Sequence, residues 1–111
     1  MLEQFRHLAG YNAWANTRLY DAAARLTDEQ LWRDVGLFFG SLGGTLNHIL
    51  VADRVWMKRF TGTGDHPDKL NAILHRDLPT LRAERDREDA RIIAYADQLS
   101  AERLDQTFTY R

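Results

Sequence analysis

GSLGGTLNHILVADRVWMKRF, residues 40–60, is the stretch whose composition dictates the architecture. At about 100° per residue on a helical wheel, Leu42, Leu46, Ile49, Leu50, Val51, Val55, Trp56, Met57 and Phe60 spread an apolar arc over most of the circumference. Asn47, Arg54 and Lys58 remain as the one polar stripe. A helix apolar nearly all round needs packing on more than one flank, so this segment is expected at the centre of a helical bundle. Two polar residues interrupt its arc. His48 lies on a strip of small residues, Ser41, Gly44, Thr45 and Ala52, which leaves room beside the helix. Asp53 falls among Leu42, Leu46 and Phe60, where a carboxylate must find a hydrogen-bond partner or hold its proton.

Working outward, residues 2–26 read as a long helix, with Leu8, Tyr11, Ala15, Leu19, Ala22 and Leu26 recurring at spacings of three and four. Asn12 and Asn16 fall inside that apolar arc, one turn apart, so their amides line up on the expected inward face. They either bridge neighbouring helices by hydrogen bonds or orient a metal ligand or substrate group. Thr27 followed by Gln30 is a capping-box pattern, which implies a short helix over about 28–33. VGLFFGS then reads as a connection held down by aromatic side chains, and Ser41 is placed to cap the central helix. Gly43 and Gly44 in its first turn imply close approach of another backbone or space for a ligand.

TGTGDHP ends the central helix near Phe60. Residues 61–77 read as the longest irregular stretch, with a turn of helix at LNAIL, and His66 and His75 there read as surface residues, as does His7. A third long helix fits residues 78–99, with Pro79 in its first turn. Its middle, RAERDREDAR, reads as a solvated face laced by Arg82/Asp86 and Arg85/Asp89 at i,i+4. Arg85 and Glu88 nevertheless share a face with Leu81 and Ile92, which suggests snorkelling at the bundle edge, or for Arg85 a pairing with Asp53. Beyond Ser100, QTFTYR alternates polar and aromatic residues like an extended strand.

Composition narrows the function classes. The 111 residues are sized for one domain, residues 1–111, and 44% hydrophobic content is ordinary for a globular chain. A net charge of −1 with interspersed signs offers no basic stripe for nucleic acid. With no cysteine there is no disulfide framework, thiolate metal site or cysteine nucleophile. Glu3 and Arg6 stand where a signal peptide would need its basic start and apolar run, and no run approaches a membrane span, so a cytoplasmic protein is expected. His48 is the first candidate for a ligand or general base. A catalytic zinc site normally takes three protein ligands, and no H-x-x-x-H or H-E-x-x-H occurs in the chain.

Taken together, YNAWANTRLYDAA in the first helix and FFGSLGGTLNHILVADRVWMKRFTG around the second resemble the bacterial DinB family, related to bacillithiol and mycothiol S-transferases. The resemblance runs through essentially the whole chain. It implies an all-α, up-down-down-up helical bundle, of which this chain would supply the first three long helices plus the C-terminal extended segment. It implies a divalent metal, nickel or zinc, held by three histidines, with His48 at the position of the first. The other two are expected on a fourth helix following the extended segment, so the chain reads as a C-terminally shortened domain with an incomplete site.

The function so implied is that of a metal-dependent enzyme of the thiol-transferase or hydrolase type, in which the metal activates a small-molecule thiol. Asn12, Asn16 and Asp53 would support the ligand. The alternative is a non-catalytic helical module that acts by association, with His48 and Asp53 as hydrogen-bonded core residues. Uncovered apolar surface would make either form a homodimer or larger homo-oligomer. The family name suggests damage-inducible expression, and the charge balance gives no support for DNA binding.

Overall fold

Local signals in the chain set where its helices start and stop. In a computed structural model that describes residues 2–109, with side chains described for residues 3–99, four α-helices follow one another: α1 (Leu2–Ala23), α2 (Asp28–Trp32), α3 (Leu42–Thr61) and α4 (Leu78–Thr109). The capping box forms as expected, Thr27 Oγ1 accepting from Gln30 N at 3.1 Å and Gln30 Oε1 from Thr27 N at 2.9 Å. Ser41 Oγ accepts from Gly44 N at 3.0 Å at the start of α3. Gly62, with φ 75°, ends α3 in the left-handed conformation and donates to Lys58 O at 2.7 Å. At the start of α4, Asp77 accepts from Thr80 N at 2.9 Å and from its hydroxyl at 2.6 Å. These bonds hold the Asp77 carboxyl below its usual pKa.

Two boundaries differ from the sequence reading. Helix α1 stops at Ala23 rather than residue 26, because Arg25 and Leu26 donate three residues back, to Ala22 and Ala23, and tighten the chain into turns before Thr27. Helix α4 continues to Thr109, so the extended segment expected over residues 106–111 is helical as far as it is described. No proline or glycine interrupts the chain between Thr80 and Thr109, and six alternating residues carry too little signal to override helix propagation from a long preceding run. The expectation for Tyr110 and Arg111 lies outside the described residues.

Ion pairs and side-chain hydrogen bonds fix the directions of the helices. Arg6 meets Asp97, Asn16 meets Asp89 and Asp21 meets Arg82, so α1 and α4 run antiparallel. Asp53 meets Arg85, Arg54 meets Glu84 and Thr61 meets Arg91, so α3 and α4 run parallel. The order is therefore up-down-down, as the all-α bundle expectation requires. Parallel neighbours oblige residues 62–77 to travel back along the bundle, with a single turn closed by Ala72 N–H to Lys69 O.

Asn47 fixes that return. The wheel placed it on a solvent stripe; instead it is 0% exposed. Its amide nitrogen donates to Gly43 O at 2.8 Å and His75 O at 3.1 Å, while its oxygen accepts from Leu74 N at 2.8 Å and His75 N at 3.0 Å. One side chain thus supplies the hydrogen bonds that an irregular strand crossing the core needs. The core itself gathers Tyr20, Ala23, Leu31, Leu46, Leu50 and Leu81, with Trp32, Leu42, Leu74 and Leu78 against it.

The two glycines of α3 allow close packing. A Cβ at Gly43 would meet the Trp32 ring at 2.8 Å, and one at Gly44 would meet the Phe39 backbone. The largest correction concerns α1. Its expected inward arc is uncovered, Leu8 and Tyr11 each being 63% exposed, and Ala9, Asn16, Tyr20 and Ala23 are the buried positions. The buried face sits roughly 100° round the helix from the apolar arc, because polar pairing to α4 through Asn16 orients α1.

Candidate functional site

The sequence candidates resolve into two separate places. At the first, His48 is half-buried and its ring stacks on Phe39 with centroids 3.8 Å apart and planes 19° apart. The small-residue strip does leave room, and the Phe39 segment fills it. His48 Nδ1 lies 2.9 Å from Leu70 O. A carbonyl oxygen only accepts, so Nδ1 carries the proton and, in the neutral ring, the lone pair sits on Nε2. This is the arrangement in which a histidine presents Nε2 to a metal while its other nitrogen is held by a backbone carbonyl. Beside it lies a cavity of about 210 Å³ lined by Phe38, Phe39, Gly44, Asn71 and Ile73. Phe38, expected to pin the connection, is 94% exposed, leaving that task to Phe39.

The second place joins Asn12, Asn16 and Asp53, not to His48 but to a buried arginine. Residues 48 and 53 stand about 140° apart on α3. Arg85 is 1% exposed, and its Nη2 donates to Asp53 at 2.6 Å and to Asp89 at 2.7 Å. Asp89 also accepts from Asn16 Nδ2 at 3.1 and 3.3 Å and from Asn12 Nδ2 at 3.3 Å.

The sequence reading set Arg85/Asp89 on a solvated face; the pair is in fact buried, because α1 covers it. Burial pushes the Asp89 carboxyl up in pKa, against the opposing pull of Arg85 and Asn16. Among the described residues, Arg85 Nε and Nη1 and the Tyr20 hydroxyl are buried without a hydrogen-bond partner. Burial also pushes the Tyr20 phenol up to about 12. Asp89 and Tyr20 were missed as site residues. Asp89 carried a usable signal, since it lies at i,i+4 from an arginine already suspected of facing inward.

The fit to a metal can be stated from these donors. His48 has the tautomer of a ligand, but among the described residues no three histidine, cysteine, aspartate or glutamate side chains gather into a metal-holding group. The described residues therefore do not complete a metal centre. The carboxylates of Asp53 and Asp89 are committed to Arg85.

The DinB family model matches residues 1–110. The chain belongs to the DinB family. The match covers α1 through α4 and includes His48 in α3 and the Asn12/Asn16 pair in α1, the motifs on which the resemblance rests. Comparison with curated proteins and with solved structures finds no match. No helix among the described residues is long and apolar enough to cross a membrane.

Proposed function

We propose that this DinB-family chain serves a metal-dependent enzyme in which His48 Nε2 is one ligand of a divalent metal, nickel or zinc. The observation that carries the reading is the Nδ1–H bond to Leu70 O at 2.9 Å, which leaves Nε2 as the basic nitrogen. Phe39 fixes the ring plane by stacking. Side chains other than those described must contribute the remaining ligands. Bound there, a metal supplies Lewis acidity that lowers the pKa of a small-molecule thiol and makes it a nucleophile at neutral pH, so the reaction class is thiol transfer to an electrophile in the cytoplasm.

The Arg85 cluster acts at a distance from this nitrogen. It locks α1 and α3 to α4 through charged hydrogen bonds and so holds α3, and His48 on it, in place. The test is metal content after tag-free purification, parent against His48→Ala. Loss of bound nickel or zinc with unchanged helicity is the expected result; equal content in both removes His48 from the site.

A second reading, a non-catalytic module acting by association, is favoured by the uncovered aromatic side chains Tyr11, Trp14, Trp56 and Phe60. It predicts self-association that persists in His48→Ala and after exhaustive chelation.

A further inference from the structure

The connection between α2 and α3 is tightly built, which makes its most exposed residue informative. Asp34 Oδ1 accepts from Gly36 N at 3.0 Å, Val35 N donates to Gly40 O at 3.0 Å, and Gly40 N donates to Leu37 O at 2.8 Å. Gly36 and Gly40 take positive φ, 82° and 81°, to close this turn. Phe39 anchors its far end by stacking on His48. Phe38 is therefore held out in solvent by a loop with little freedom to hide it. The Phe38 and Phe39 rings meet with centroids 4.8 Å and planes 71° apart. They make a corner in which a third ring can stack on one and meet the other at an angle.

That corner belongs to the cavity of about 210 Å³ beside His48, whose other walls are Gly44, Asn71 and Ile73. An apolar cavity of about 150 Å³ accepts benzene, so this one has room for a single six-membered ring with a small substituent. Gly44 contributes backbone alone and Ile73 an apolar wall. Asn71 is the lining side chain that can hydrogen-bond, and an amide both donates and accepts. No charged side chain lines the cavity, so an ionised group there would lose hydration without gaining a counter-charge.

The five lining residues include none from α1 or α4, so a helix laid on the uncovered arc of α1 does not have to fill the cavity. The return segment meets His48 at Nδ1, through Leu70 O at 2.9 Å, immediately before Asn71. Ligands gathering round a metal at Nε2 come to the opposite edge of the imidazole. The cavity and the metal position thus stand on two sides of one ring. We propose that the cavity receives a neutral six-membered aromatic ring carrying a hydrogen-bonding substituent, the recognition group of the substrate that reacts at Nε2. The ring site stands on the cavity; its assignment to a substrate rests on the metal-enzyme reading.

Benzamide is the probe, with benzoate as its charged counterpart and cyclohexanecarboxamide as its non-planar one. Each is titrated into the whole chain under a chelator and followed by NMR at the Gly44 amide, the Asn71 side-chain amide and the Ile73 methyls. Benzamide is expected to bind with a Kd of about 1 mM, and the other two about tenfold more weakly. Phe38→Ser, at a 94% exposed position where the fold has little to lose, and Ile73→Ser, at a 45% exposed one, should each weaken benzamide about three- to tenfold. A benzamide response that is absent at about 10 mM, ten times the expected Kd, overturns the ring site. So does one that benzoate matches, or one that survives both Phe38→Ser and Ile73→Ser. Because the titration is run without metal, its failure leaves the His48 metal reading to its own assay. Equal metal content in parent and His48→Ala, with benzamide bound by the parent, instead overturns the substrate role and keeps the ring site.

Discussion

Replacing Arg85 with methionine removes the charge on which three helices converge. The parent guanidinium is 1% exposed and holds Asp53 at 2.6 Å and Asp89 at 2.7 Å. Methionine fills much of the same volume, so the loss is electrostatic: Asp89 stays buried with only Asn12 and Asn16 to face it. Breaking a buried pair on one side costs about 3–5 kcal/mol, against a total stability of about 5–15 kcal/mol for a domain. With an unfolding entropy of about 2.1 cal/mol/K per residue, that loss lowers Tm by roughly 13–21 °C for this chain.

The pH dependence gives a second signature. Asp89 has a raised pKa in the folded protein, so its contribution is fully present below the unfolded carboxylate pKa and is lost as pH rises through the folded value. Removing Arg85 raises that value further, and the variant should regain stability between pH 7 and pH 5. Adding Asp89→Asn should recover most of the deficit at pH 7, since an amide can still bond Asn16 without a charge. Thermal melts by circular dichroism at both pH values check this. A loss below about 1 kcal/mol at pH 7, well under the range for a broken buried pair, refutes the assignment of Arg85 as a buried ionic tie; so does a deficit that deepens on acidification.

Three further outcomes follow from the same contacts. Asn47→Leu leaves the amides of Leu74 and His75 without their acceptor, at about 1–3 kcal/mol for each orphaned N–H, and hydrogen exchange should speed up at those two amides before it does in α1. Gly44→Ala sets a methyl against the Phe39 backbone; an overpacking cost of about 1–3 kcal/mol should appear with a shift of the His48 ring resonances as Phe39 moves. Tyr20, with a folded pKa of about 12 against an unfolded value near 10, binds its proton longer in the folded state, so stability falls as pH rises between those values. Phenolate absorbance and melts in that window should lose this component in Tyr20→Phe.

Much of the frame was legible because it rests on local chemistry. The capping box at Thr27, the serine at residue 41 and the glycine at residue 62 each mark a boundary through bonds made within four residues. What failed was facing. The apolar arc of α1 was read as its inner face, yet Asn16 and Tyr20 are buried instead, since Asn16 answers the buried Asp89 carboxylate and Tyr20 joins the core. Asn47 looked like a solvent residue for the complementary reason: besides one bond to Gly43 O, its bonds are to a backbone segment 27 and 28 residues away, and no local pattern announces that. The separation of His48 from Asp53 was readable from their spacing on α3, whereas the hold on His48 from the Leu70 carbonyl depends on how the return segment is laid down. The extended reading of residues 106–111 gave way over the described part, since a short alternating pattern could not compete with a helix already under way.

The antiparallel pairing of α1 with α4 also sets a timetable for synthesis. Asn16 bonds a carboxylate 73 residues further along the chain, and Arg6 one 91 residues away. The first helix emerges from the ribosome early and its buried face has no partner until α4 has been made. At about 5–20 residues per second, that interval is roughly 4–15 s, longer than a helix takes to form by many orders of magnitude. During it, Ala9, Asn16, Tyr20 and Ala23, the positions that the finished fold buries, stay open to solvent.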